Sequence, residues 1–109
     1  MLIYDNKLGN DLVYWIGDDA QDNWRIIDNA DGDDLWFHVY DKPSAHLILR
    51  LGGNDVKKIS KATIKYCAVQ CKNHSKFSST KQKVVYTAVK NLSKGNKPGL
   101  VYTKNEKYI

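Results

Sequence analysis

The sequence predicts an α+β domain: a small twisted, mostly antiparallel sheet with one main helix and one short helix. Three observations point there. Residues 34–40 alternate strictly between apolar side chains and others, the period of a strand with one face in a core. A second apolar run, His46 to Leu51, follows a connection of five residues, 41–45, which suits a β-hairpin. Ile64, Cys67, Ala68, Cys71 and Ser75 recur at three- and four-residue spacing, the period of a helix face. A chain of 109 residues has the size of one domain, 1–109, and can bury a core without staples.

The elements follow in order. Leu12 to Ile16 is a β-prone run closed by Gly17. Asp18 or Asp19 can cap a short helix behind it, with Ala20, Trp24 and Ile27 on one face. Asp31-Gly32-Asp33 is a turn, and the strand Asp34 to Tyr40 comes next. Asp41-Lys42-Pro43-Ser44 turns the chain into the second apolar strand, which Gly52-Gly53 ends. Ser60 is the N-cap of the main helix. Two more β-prone runs, Lys83 to Val89 and Leu100 to Thr103, flank a Gly95–Gly99 loop, and Lys107 to Ile109 closes the chain.

Composition narrows the class. With 42% hydrophobic and 27% charged residues the chain reads as globular, not disordered. No apolar run is long enough to span a bilayer. Residues 1–5 show neither a basic start nor a long apolar stretch, so no signal peptide is readable. Two cysteines make no disulfide framework. The expectation is a cytoplasmic protein in a reducing compartment, with no cofactor and no metal.

Charge is divided along the chain. Residues 1–55 hold four Lys/Arg against eleven Asp, a net of −7; residues 56–109 hold thirteen Lys against Glu106, a net of +12. On the main helix Lys61, Lys65, Lys72 and Lys76 cluster within roughly 60° at about 100° per residue. A field of this kind suits a polyanion, with nucleic acid (RNA, with DNA possible) first and an anionic membrane surface second, or serves only as a solubilising surface.

The hairpin carries the chemistry. Leu35, Phe37, Val39, Leu47, Leu49 and Leu51 share one face and read as core. Asp34, Trp36, His38, Tyr40, His46, Ile48 and Arg50 share the other. A turn centred on Pro43 would set Tyr40 against His46, His38 against Ile48 and Trp36 against Arg50. Arginine binds phosphate in a fork geometry, aromatic rings stack on bases, and imidazoles donate to ribose or base edges. Trp36 and Ile48 equally suit a second core layer beneath a helix. Burying Asp34, His38, His46 and Arg50 together would cost several kcal/mol unless they were paired. The two histidines and Arg50 would also fit metal-independent RNA cleavage. Cys67, Cys71 and His74 have a spacing that zinc could use, but both cysteines fall on the apolar face without an evident fourth ligand, so they read as core.

At this point the residues resemble a known family. "DDLWFHVYDKPSAHLILRL" resembles the central signature of the NFACT-R domain, the RNA-binding domain of ribosome-associated quality-control factors. "VYWIGDDAQDNWRII" is similar to that family's strand-glycine-helix opening, "CKNHSKFSS" to the end of its helix, and "VVYTAVKNLSKGNKPGLVYTKNEKYI" to its closing stretch. The resemblance covers roughly residues 10–109. It implies that Asp34, Trp36 and His38 stand for the family's Asp-x-Trp-x-His motif, and His46 and Arg50 for its downstream histidine and basic position. The implied role is contact with tRNA or rRNA on the large ribosomal subunit. Pro43-Ser44-Ala45-His46 departs from the usual Pro-Gly-Ser-His and is closer to the family's stand-alone coiled-coil-containing relatives. The family's N-terminal domain, helix-hairpin-helix and long coiled coil have no counterpart in these residues. The expected function is therefore a non-catalytic RNA-binding module, contacting RNA through Asp34, Trp36, His38, His46, Arg50, Lys61, Lys65, Lys72 and Lys76. The alternatives are the nuclease and a DNA-binding or protein-docking module.

Overall fold

A computed structural model describes residues 1–76 and 81–109. It holds eight strands and two α-helices: β1 (Leu2–Asp5), β2 (Asn10–Ile16), α1 (Ala20–Asp28), β3 (Leu35–Val39), β4 (Leu47–Leu49), α2 (Lys61–Asn73), β5 (Val84–Ala88), β6 (Leu92–Lys94), β7 (Val101–Thr103) and β8 (Lys107–Tyr108). Six strands form one sheet in the order β1-β2-β4-β3-β5-β8, and β6 pairs with β7 apart from it. Every pairing in the six-stranded sheet is antiparallel. The α+β class and the two helices are as expected from the sequence. The strands β1 and β6 were not.

The alternation along β3 and β4 sorts their side chains onto two faces, and each face has its own cover. Phe37, Val39, Leu47 and Leu49 are wholly buried and meet Ile64, Cys67, Ala68 and Cys71 of α2. Full burial of each such aliphatic or aromatic side chain contributes about 1.5–3 kcal/mol. On the opposite face Trp36, Ile48 and Val85 pack with Ile26 and Ile27 of α1, and Val89, Leu92 and Val101 from the β6–β7 region close the layer. The protein is thus three layers: α2, the sheet, then α1 with the β6–β7 hairpin.

Local chemistry fixes the helix ends. Asp19 accepts the Asp22 N–H at 2.8 Å and caps α1; Ser60 Oγ accepts the Ala62 N–H at 3.0 Å and caps α2. The buried residues of α1 are Asn23, Ile26 and Ile27; of the expected face Ala20, Trp24 and Ile27, Ile27 is buried, Trp24 packs partly buried against the same core, and Ala20 is exposed. The hairpin keeps the expected parity, but its register is shifted by two residues: Trp36 lies opposite Ile48, and Phe37 opposite Leu47. The connection runs from Tyr40 to His46, with Asp41 in the left-handed region at φ 56°, and Ser44 Oγ accepts the Val39 N–H at 3.1 Å. That wider loop moves the pairing away from the register centred on Pro43.

A candidate nucleic-acid interface at one end of the hairpin

The even-numbered face of β3 and β4 does not form one site. Its polar residues separate into two groups at opposite ends of the strands. At one end Asp34 is 1% exposed and accepts three hydrogen bonds, from Asp31 N–H (2.9 Å), Leu51 N–H (2.8 Å) and Arg50 Nε (2.5 Å). Arg50 also reaches Asp31 at 3.3 Å and lies over the Trp15 ring, 4.5 Å from its centroid. A buried carboxylate needs such donors, and a guanidinium stacked on an indole keeps part of its hydration. Asp34 and Arg50 thus tie the start of β3 to the end of β4.

At the other end three rings interlock. Trp36 is 2% exposed and donates its indole N–H to His46 Nδ1 at 3.0 Å. His38 stacks on Trp36, with centroids 5.6 Å apart and planes 9° from parallel. His38 and His46 meet edge to face at 4.8 Å. His46 is held at its backbone too: its N–H donates to Asn23 Oδ1 at 3.1 Å, and its carbonyl accepts the Gly17 N–H at 3.0 Å. Gly17 is required here, because a Cβ at that position would stand 2.0 Å from Asn23 Oδ1. Acceptance at Nδ1 places the proton of neutral His46 on Nε2. Burial, with the neighbouring His38 second, pulls the His46 pKa down to about 3, against a favourable backbone contact from Gly99. Burial lowers His38 as well. Burial thus favours the neutral form of both rings.

His38, half-buried, borders an open cleft of about 650 Å³, and His46, 2% exposed, sits in the wall behind it. Three chain segments wall it: Gly17 to Ala20 before α1, Lys42 to Ala45 in the β3–β4 loop, and Lys97 to Val101 in the β6–β7 hairpin. His74, just past α2, closes a fourth side. Lys42 and Lys97 supply positive charge at the rim, and Asp18 and Asp19 supply negative charge. Tyr40, 47% exposed, follows His38 on the same side of the chain, between the cleft residues His38 and Lys42. Its ring meets Tyr108 of β8 edge to face at 5.2 Å, so two exposed aromatic rings lie together on the sheet.

The expected site residues are therefore divided. His38 and His46 come together in the cleft. Asp34 and Arg50 lie four residues along the strands from them, about 13 Å at the rise of a strand. Trp36 is inside the second core layer, so its ring is no open stacking platform; Tyr40 is the exposed ring on that face. Lys61 and Lys65 are exposed on α2, Lys72 is half-buried, and Lys76 lies beyond the helix end at Asn73. Lys42, Lys97 and Tyr108 escaped sequence reading as site residues because only the fold brings their loops and strand beside His38. Cys67 and Cys71 are core residues whose thiols burial pushes up to about 12, with Cys71 Sγ donating to the Ala45 carbonyl at 3.3 Å. Among the described residues no group of three His, Cys, Asp or Glu could hold a metal ion. The Phe77-Ser78-Ser79 end of "CKNHSKFSS" lies outside the described residues.

Comparison with known families decides the class. The family model for the NFACT protein RNA binding domain matches residues 1–105. The chain belongs to this family. A coiled-coil domain-containing protein 25 homolog from Dictyostelium discoideum is 29% identical over 114 residues, which take in 100% of this chain and 55% of that protein. The chain thus spans about half the length of this curated relative. Among solved structures, the C-terminal part of the fibronectin/fibrinogen-binding protein from Streptococcus suis shares the fold, with a TM-score of 0.82 at 22% identity over 99% of this chain and 43% of that one. Membership in the NFACT RNA binding domain family supports a general RNA-binding role. No described helix is long and apolar enough to cross a membrane.

Proposed function

We propose that this NFACT-R domain is a cytoplasmic, non-catalytic RNA-binding module that engages tRNA or rRNA on the large ribosomal subunit, in the service of translation quality control. The observation that carries the reading is the cleft. It combines the half-buried His38 imidazole with cationic rim groups from Lys42 and Lys97, and the exposed Tyr40 ring stands on the same face of the sheet nearby. Hydrogen-bonding edges, phosphate-neutralising cations and aromatic faces are the three things single-stranded RNA asks of a protein. Trp36 serves by building the cleft wall, Asp34 by tying the far end of the hairpin to Arg50, and the α2 lysines Lys61, Lys65, Lys72 and Lys76 add the long-range field that draws a polyanion in.

Binding is favoured over cleavage by the state of the histidines. His46 is neutral with its Nδ1 already occupied, and Arg50 is committed to Asp34 at the far end of the strands. The test is fluorescence anisotropy with matched single-stranded RNA and DNA over a salt series. RNA should bind more tightly than DNA, with affinity falling steeply as salt rises, and labelled RNA should stay intact in EDTA. Equal affinity for both nucleic acids would favour the DNA-binding alternative, and a cleaved probe the nuclease.

A further inference from the structure

A second cavity, of about 680 Å³, opens on the α2 side of the sheet, at the end of α2 away from His74. Lys7, Lys57, Lys61 and Lys107 line it, and no carboxylate does. The nearby acids are engaged with neutral donors. Asp5 is buried on the N–H groups of Leu8 and Ser60, Asp55 accepts the Lys57 N–H, and Glu106 accepts the Thr103 hydroxyl. Among the described residues none of these four lysines is in an ion pair, whereas Lys90 and Lys94 are paired with Asp33 and Asp28. Lys7 Nζ instead donates to the Lys57 carbonyl at 2.6 Å, which fixes one ammonium at the rim. The floor is apolar: Ile59, Ile64 and the half-buried Tyr86 ring, which stacks on Phe37 at 5.3 Å.

Four cations converging over an aromatic and aliphatic floor match a phosphodiester segment, with phosphates on the lysines and a sugar or base on the ring. We propose that this cavity is a second subsite for the RNA taken by the His38 cleft, an assignment that rests on the RNA-binding reading. α2, thirteen residues and about 20 Å long, separates the two, so a bound strand would run along the helix past Lys65.

Two measurements test this. In anisotropy titrations with single-stranded RNA, the triple variant Lys57→Ala, Lys61→Ala, Lys107→Ala should bind at least tenfold more weakly than wild type. The slope of log affinity against log salt should fall by roughly 2. Unchanged affinity and slope would overturn the subsite while leaving RNA binding intact. In amide NMR of the wild-type chain, inorganic tripolyphosphate should shift the signals of residues 57–61 and 107. Absence of those shifts would overturn the subsite regardless of the variant's folding. Shifts with tripolyphosphate but no binding of RNA would keep an anion subsite and sink the RNA reading.

Discussion

The Trp36 indole donates its N–H to Nδ1 of His46, a buried hydrogen bond of 3.0 Å from β3 to the residue that precedes β4. It joins two residues that the sequence places on one face but does not place in contact. It also sets the tautomer of His46 and orients the edge that borders the cleft. Trp36→Phe keeps an aromatic ring but removes the donor and part of the indole's volume, leaving a buried acceptor unpaired. Stability in urea should fall by about 1–3 kcal/mol. Long-range nitrogen NMR should find wild-type His46 protonated at Nε2; protonation at Nδ1 would contradict the assignment.

Acid should destabilise the fold through this histidine. The folded pKa of His46 is depressed, so the folded state stays neutral while the unfolded chain takes up a proton below its ordinary pKa near 6.5. The stability His46 contributes is complete above that value and is lost as the pH falls toward about 3. In that window each pH unit should cost up to about 1.4 kcal/mol from His46. Urea denaturation at pH 7.5, 6 and 5 measures the slope, and His46→Gln should reduce it. Asp5 adds to the loss at lower pH. Its burial raises its pKa, but hydrogen bonds from Thr63, Leu8 and Ser60 outweigh this and leave it below the usual carboxylate value.

Asp34 and Arg50 should prove to be a structural pair. Asp34→Ala abandons two backbone N–H groups and the Arg50 guanidinium, which should cost about 3–5 kcal/mol. A double-mutant cycle with Arg50→Met should return a coupling of about 1–3 kcal/mol by denaturation. Arg50→Met should leave RNA affinity within twofold of wild type, because Arg50 stands outside the cleft.

At the cleft itself, Tyr40→Ala should weaken single-stranded RNA binding by about 1–3 kcal/mol, the value of one stacked base, with little loss of stability. Lys42→Ala with Lys97→Ala should reduce the salt slope by about 1.4. Anisotropy reads both.

How much of this was legible in the sequence depends on which interaction sets each feature. The odd-numbered core layer of β3 and β4 was readable because strand alternation dictates it, and α2 was readable from Ser60 and its three- and four-residue spacing. Alternation gives parity and not register, so the hairpin pairing was two residues out. It also cannot say whether the second face is covered. Trp36 is buried because α1 and the β6–β7 hairpin fold over it, and the hairpin lies more than fifty residues further along the chain. Leu2–Asp5 and Leu92–Lys94 are short edge strands whose composition carries little signal. Asp5, which holds the start of α2 through the Ser60 N–H, was invisible for the same reason.

The most direct test is photo-crosslinking of single-stranded RNA to the whole chain, followed by peptide mass spectrometry. The account predicts adducts on His38 or Tyr40 and on the Lys42 and Lys97 segments. RNA retained by the protein with no adduct on any of these residues would contradict it.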